Sequence, residues 1–252
     1  MEVEDRVLSP KKQEIRDRPG RILSVARKIL LEDGYPALTM DRIAKRMNCS
    51  RPPIYEHFTS REDVVIGLAI EDAQQRWKLN KQAITFKGRC REKLVAINEF
   101  TFRTYTDHLK ILSLLQPNGI KLKATKKHVE TLNDYETRSF DVLTRVLEEA
   151  VKNGDLQIPG DQPPSVVAYA LLCLTFGSCT FESRSPNVPF QQQNFDRHLS
   201  TRLGLLAMLD GLDFQPITSD WDYARTVKKV REDLDLKAFI AVTESEKPSR
   251  RF

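Results

Sequence analysis

The sequence predicts an all-α chain in which a small N-terminal three-helix unit precedes a larger helical body. Three observations carry this. Apolar residues recur three and four positions apart through most of the chain beyond residue 20. Alternating apolar and polar runs, the mark of half-buried strands, are almost absent. Proline, glycine and asparagine fall between the periodic segments, where helices end.

The elements follow in order. Residues 1–19 are polar, mix acids with bases, and read as a loose arm. The first helix is expected near Arg21, with Ile22, Val25, Ala26, Ile29 and Leu30 on one face. Gly34 follows it, where a C′ glycine stops a helix. Thr39 is placed to cap a second, short helix that turns Ile43, Ala44 and Met47 inward, and Asn48-Cys49 makes a turn. A third helix should begin at Ser50 or Arg51 and run to His57. Thr59 with Glu62, or Ser60 with Asp63, can form a capping box for a long fourth helix reaching about Lys81.

The body begins beyond that. Residues 89–116 should hold one or two helices, broken at Pro117-Asn118-Gly119. Residues 122–153 predict a long amphipathic helix with Val129, Leu132, Tyr135, Val142, Leu143, Val146 and Val151 on one side. Pro163-Pro164 opens the next helix, since first-turn N–H groups lack intrahelical partners. Its run from Val166 to Phe176 is apolar on every face and must be buried all round. Residues 191–212 give a further helix, and a charged last one should span 219–241 before a basic end.

Bulk properties bound the partners. The chain has 252 residues, 40% hydrophobic and 30% charged, an ordinary globular balance with room for one or two cores. A net charge of +5 permits a polyanionic partner without requiring one. No apolar run approaches the roughly 20 residues that span a bilayer, so no membrane partner is expected. The N-terminus lacks the apolar core of a signal peptide, and Cys49, Cys90, Cys173 and Cys179 form no Cys-x-x-Cys pair. Both point to a cytoplasmic protein with free thiols. The four histidines lack metal-ligand spacing, so neither metal nor cofactor is expected. A phosphate-binding glycine loop, a Glu-x-x-His pair and a nucleophile elbow are all missing, which argues against a helical enzyme.

The segment Thr39–Phe58 carries the functional signal. It reads as two short helices joined by a tight turn. Ile54 and Phe58 stand at i, i+4 and can anchor the second helix to a core. Arg51, Pro52, Pro53, Tyr55 and His57 are then left to face outward. Arginine, tyrosine and histidine together suit phosphate and base-edge contacts in DNA. A helical hairpin that binds protein instead is the competing reading.

Arg21-Ile22-Leu23, Ala26, Gly34, Thr39, Ile43-Ala44, Ser50, Tyr55, His57-Phe58 and Ser60-Arg61-Glu62 fall in one frame. In that order and spacing the segment resembles the N-terminal domain of the tetracycline-repressor (TetR) family, over roughly residues 20–68. Beyond it the chain is similar in architecture only. The resemblance implies a DNA-binding domain at 20–67, a ligand-binding and dimerisation body at 68–214, and an extension at 215–252. It implies a homodimeric repressor that binds a double-stranded DNA operator and leaves it when an unidentified small-molecule effector binds. Thr39 would bond a phosphate, Ser50 to His57 would form the recognition helix, and Tyr55 and His57 would meet the sugar–phosphate backbone. Arg61, where the family usually has lysine, would hold a phosphate at the start of the fourth helix.

Pro52-Pro53 departs from the small pair usual in the family. With Ser50 as N-cap, the prolines would occupy N2 and N3, and neither has an N–H to meet the serine hydroxyl. Either the cap shifts to Arg51 with Pro52 at N1, which is the preferred reading, or Ser50 is left free for DNA. The rings can read thymine methyl groups, or only stiffen the turn.

Other candidates are looser. Lys11, Lys12, Arg16 and Arg18 in the arm can enter a minor groove or form a solvated tail. Thirteen basic residues against Glu92, Glu99 and Asp107 over 76–127 give a solvated surface, or one that attracts an anionic effector or flanking DNA. Phe100, Phe102, Tyr105, Leu112, Tyr135, Tyr169, Cys173 and Phe176 are candidate effector-pocket walls. The helices at 166–176 and 191–212 would build a four-helix dimer interface.

Overall fold

The computed structural model describes residues 10–104, 111, 119–182 and 197–233. Among these residues there are ten α-helices and no strand.

α1 spans Pro10–Asp33. It starts well ahead of Arg21, so the segment expected to be a loose arm is helical from Pro10. Lysine, glutamine, glutamate and arginine there are good helix formers, and Arg18 pairs with Glu14 one turn back at 3.5 Å. Arg18 also reaches Glu56 at 3.4 Å, tying the early turns to the rest of the N-terminal unit. Pro19 lies inside the helix, where it costs one backbone hydrogen bond. Ile22, Ala26 and Ile29 are fully buried on the inner face. Gly34, at φ +79° and ψ 174°, ends the helix in a conformation that a Cβ would oppose.

α2 covers Met40–Met47. Thr39 caps it: its hydroxyl accepts from the Arg42 N–H at 3.1 Å. Asn48 closes it in the left-handed region, at φ 51° and ψ 45°. α3 is one turn, Pro52–Tyr55, with Arg51 in the cap position and proline at N1. The cap has therefore moved to Arg51, as the prolines require.

α4 runs Arg61–Ala83. Gly67 sits where it passes α3 and α1. A Cβ there would lie 2.7 Å from Phe58 Cε1 and 2.9 Å from Leu23 Cδ2. Only glycine allows that approach.

The described residues fall into two compact units, within 1–72 plus 110–133 and within 73–109 plus 134–252. α6, Ile120–Lys123, and the start of α7, Lys126–Lys152, belong to the first. In the second, α5 (Cys90–Thr104), the remainder of α7, α8 (Pro164–Glu182), α9 (Arg197–Gly211) and α10 (Tyr223–Asp233) surround one core. Leu94, Phe100, Leu143, Leu147, Ala168, Leu171, Leu209 and Val230 belong to it. On α7 the buried stripe is Leu143, Val146, Leu147 and Ala150, spaced as one helix face requires. Val151 falls off that stripe and is 41% exposed, contrary to its expected place.

The segment beyond residue 214 covers this core. Tyr223 and Val227 of α10 pack with Val95 and Leu206. Beneath them Arg91 is fully buried. It donates to the Phe214 and Leu206 carbonyls, to Thr218 Oγ1 at 3.0 Å and to Asp210 Oδ1 at 2.6 Å. Glu99 binds Arg202 of α9 at 2.8 Å and Arg231 of α10 at 2.9 Å. Residues 234–241 of the expected last helix lie outside the described residues.

Gly67→Ala provides a test of the packing. Alanine gains about 1 kcal/mol over glycine in a helix interior. Overpacking a closed contact costs about 1–3 kcal/mol. The steric term should win, giving a lower melting temperature and a smaller near-ultraviolet signal. An unchanged or raised melting temperature would show that the contact is slack.

Candidate nucleic-acid interface

The interface is built on a buried support. Leu38, Ile43 and Ile54 are fully buried and Phe58 nearly so, holding α2 and α3 by their inner faces. The α3 backbone is tied by Ile54 N–H and Tyr55 N–H, both donating to the Arg51 carbonyl, at 2.9 and 3.2 Å. Phe58 N–H then bonds the Ile54 carbonyl at 3.0 Å, so the turn closes on its own anchors.

The outward side carries most of the expected residues. Thr39, Ser50, Arg51 and Pro52 are exposed, and Pro53 is half-buried. Tyr55 is 47% exposed, a large aromatic ring left at the surface. Arg51 is held by both carboxylate oxygens of Asp41 on α2, one of them at 2.6 Å. Arg61 lies over the Tyr35 ring, 4.8 Å from its centre, and pairs with Glu62 at 3.2 Å. The Tyr35 hydroxyl donates to the same Glu62 at 3.1 Å, so Arg61 is oriented before any partner arrives.

His57 departs from its expected outward position. It is half-buried, and its Nε2 is enclosed without a hydrogen-bond partner among the described residues. The backbone tightens there, with His57 N–H bonded to the Ile54 carbonyl three residues back at 3.0 Å. Of the arm residues, Arg16 pairs with Asp17 and Arg18 with Glu14 and Glu56, while the Lys11 and Lys12 side chains lie outside the described residues.

The start of α4 holds a residue pattern that spacing only half revealed. Ser60 caps the helix by accepting from the Asp63 N–H at 3.0 Å. Asp63 reaches back to Thr59 N–H rather than Ser60 N–H, also at 3.0 Å. Its other oxygen accepts from Thr125 N–H and Thr125 Oγ1, both at 2.9 Å, and meets His128 Nδ1 at 2.8 Å. The Phe58 and His128 rings lie 5.5 Å apart. Sequence reasoning found the cap but not Thr125 and His128, which are remote in the chain and carry no local signal.

Burial pushes the Asp63 carboxyl up, but its donors outweigh burial and hold it below the ordinary carboxylate range.

The described effector-pocket candidates stand in different settings. Phe100 is fully buried in the core of the second unit. Tyr135 is half-buried, 5.9 Å from Trp77, with Arg138 over both rings. Tyr169 is 66% exposed, and Cys173 and Phe176 are exposed beside it. α8 therefore buries only the Val167, Ala168 and Leu171 face within the chain. The open apolar face is the one expected to meet a second chain. Tyr105, Leu112 and the Phe102 side chain lie outside the described residues. Buried polar atoms were not anticipated: Asn80 Oδ1 and Ser139 Oγ have no hydrogen-bond partner among the described residues.

No helix is long and apolar enough to cross a membrane, and no cluster of His, Cys, Asp and Glu could hold a metal ion, both among the described residues.

Residues 22–68, which contain this support and surface, match the sequence model of bacterial regulatory proteins of the tetR family. The chain carries that family's DNA-binding domain over these residues. It is a DNA-binding transcriptional regulator, of a kind that binds operator DNA as a dimer and responds to small-molecule effectors. The chain is similar to the fatty acid metabolism regulator protein of Bacillus subtilis, 25% identical over 144 residues, 56% of this chain and 72% of that one. It is similar to the transcriptional regulator QacR of Staphylococcus aureus, 28% identical over 138 residues, 54% of this chain and 71% of that one. In fold it is like the regulator FadR of Bacillus subtilis solved with stearoyl-CoA. The TM-score is 0.59 at 18% identity, covering 79% of this chain and 98% of that one.

The Asp63 junction gives a pH test. The folded value is depressed, so its contribution is complete above the unfolded value near 4 and is lost as pH falls through the lower folded value. Asp63→Asn should cost about 1–3 kcal/mol at pH 7, by orphaning buried donors. The gap in stability between the two proteins should shrink below about pH 4. A gap that stays constant from pH 7 to pH 3 would show that the charge plays no part.

Proposed function

We propose that the chain is a homodimeric repressor that leaves its operator when an amphipathic small molecule enters the helical body. The DNA-reading unit would be residues 20–67, with 119–133 fastened to it. Residues 68–214 would otherwise supply the effector and dimer surfaces, and 215–252 the cover of the core. The observation that carries the reading is a single-turn helix anchored from beneath by Ile54 and Phe58 while Tyr55 and Arg51 stand exposed. Thr39, Ser50, Tyr55 and Arg61 would contact phosphates, and Arg51 with Pro52 and Pro53 would meet base edges. His57 would act by supporting the turn from within. No catalytic role is assigned, and the protein would act in the cytoplasm, where its DNA is.

The dimer would form through α8 and α9. Val166, Tyr169, Phe176, Leu199 and Leu203 are apolar and 36–66% exposed in one chain. An apolar stripe on two adjacent helices is what a two-fold four-helix interface needs.

For the effector, an acyl-CoA is the favoured class. The similarity to a fatty acid metabolism regulator, and the likeness of fold to FadR bound to stearoyl-CoA, support it. The enclosed Asn80 Oδ1 and Ser139 Oγ support a ligand with polar groups inside the body.

Two measurements test the proposal. Tyr55→Ala should weaken operator binding about tenfold, the loss of roughly one charge-assisted phosphate contact, with an unchanged melting temperature. Full affinity in that variant removes α3 from the interface. Stearoyl-CoA should lower operator affinity by a factor of about 5–150, the usual range of allosteric coupling. A complex indifferent to acyl-CoA of any chain length would rule out this effector class.

A further inference from the structure

Four lysines stand within seven residues at 121–127, and no acid intervenes between Gly119 and Val129. In the first unit this run is fastened to the start of α4. Ser60 Oγ donates to the Lys123 carbonyl at 3.4 Å. Thr125 and His128 both bond Asp63. Ser60 lies two residues after Phe58, where the α3 turn ends. The lysines are thus held beside the edge of the surface that carries Tyr55 and Arg61.

Their own chain does little to neutralise them. Lys123, Lys126 and Lys127 are exposed. Lys126 pairs with Glu130 at 3.5 Å, an exposed contact of small worth. Lys123 and Lys127 have no ion pair among the described residues. Lys121 reaches Asn133 at 3.3 Å. The first turn of α7, a helix of 27 residues, contains Lys126 and Lys127 and no acid. Cations there oppose the helix dipole, at about 0.3–1 kcal/mol each. A polyanion laid along this edge would reverse that penalty and meet all the charges together.

We infer that Lys123, Lys126 and Lys127 form a second phosphate-binding edge, which holds the DNA backbone flanking the site read by α3. It rests on the DNA-binding reading above and adds to it a longer footprint. The edge grips without reading sequence, because lysine contacts phosphate as a point charge. A lysine side chain extends about 6 Å from its backbone, so backbone DNA at the start of α4 lies within reach.

The test compares two variants of the full chain with equal charge change. One carries Lys123→Gln, Lys126→Gln and Lys127→Gln. The control carries Lys152→Gln, Lys228→Gln and Lys229→Gln, in the second unit. Circular dichroism and melting temperature confirm that both fold. Operator affinity is then measured against salt concentration, with hydroxyl-radical footprints of each complex. Each lost phosphate contact flattens the slope of log affinity against log salt by about 0.9. Three contacts in each of two heads should flatten it by about 5, with loss of protection at the operator's flanks and retained sequence preference. The control should keep the wild-type slope and footprint. The inference is overturned if the first variant keeps both, or if the control loses as much. A wild-type chain with no operator preference overturns the DNA-binding reading itself, and this inference with it.

Discussion

The arrangement of the first unit depends on one buried carboxylate. Asp63 is fully buried and answers five donors: two from Thr59, two from Thr125 and one from His128. A buried charge without partners would cost several kcal/mol. With these partners it cannot move without orphaning N–H groups from two separate stretches of chain. Thr59 follows the DNA-facing turn, and Thr125 starts α7. One side chain therefore fixes where α4 begins and which segment lies against that start. A shift at Thr125 or His128 would therefore be felt at Thr59, beside the turn proposed to face DNA.

The charges on the side proposed to face DNA are already paired within the chain. Arg51 is gripped by Asp41, Arg42 and Arg46 lean on Asp33 and Glu32, and Arg18 reaches Glu56. Exposed pairs of this kind contribute about 0–1 kcal/mol, so they do not hold the fold together. Their effect would be on binding. In the proposed complex Arg51 would have to leave Asp41 to reach DNA, whereas Lys123 and Lys127, without an ion pair among the described residues, would give the cheaper electrostatic grip. A surface can then separate holding from reading, with lysines for the first and a constrained arginine for the second.

The sequence made the all-helical class, the Thr39 cap, the Asn48 turn and the Ile54–Phe58 anchor legible, because each is written in residues three or four apart. The shifted cap at Arg51 was legible for a different reason: proline lacks an N–H, and that alone forbids the earlier start. What could not be read depended on distant partners. The helicity of residues 10–19 is not of that kind: it lies in their helix-forming composition and the Arg18–Glu14 pair, which the expectation of a loose polar arm passed over. Tyr169, Cys173 and Phe176 have the composition of interior residues, and the sequence offered them both as pocket walls and as part of a dimer face; the fold leaves their face of α8 open in the single chain. Local propensity cannot distinguish a face buried in its own chain from one that another chain would cover.

α3 shows why these local and distant terms must act together. A helix of four residues has no stability of its own, since nucleation alone is unfavourable by a factor of about a thousand. Two prolines reduce the freedom of the unfolded chain, worth about 0.4–1 kcal/mol each where the backbone fits. That offsets only part of the ordering cost, about 1–2 kcal/mol for each of the other residues. Burial of Ile54 and Phe58, about 1.5–3 kcal/mol apiece, closes most of the gap. It does so only because Gly67 lets α4 come close enough for the Phe58 ring to seat. The position of Tyr55 at the surface is therefore set from below, by packing against α4, and whatever moves the start of α4 moves the residue proposed to face DNA.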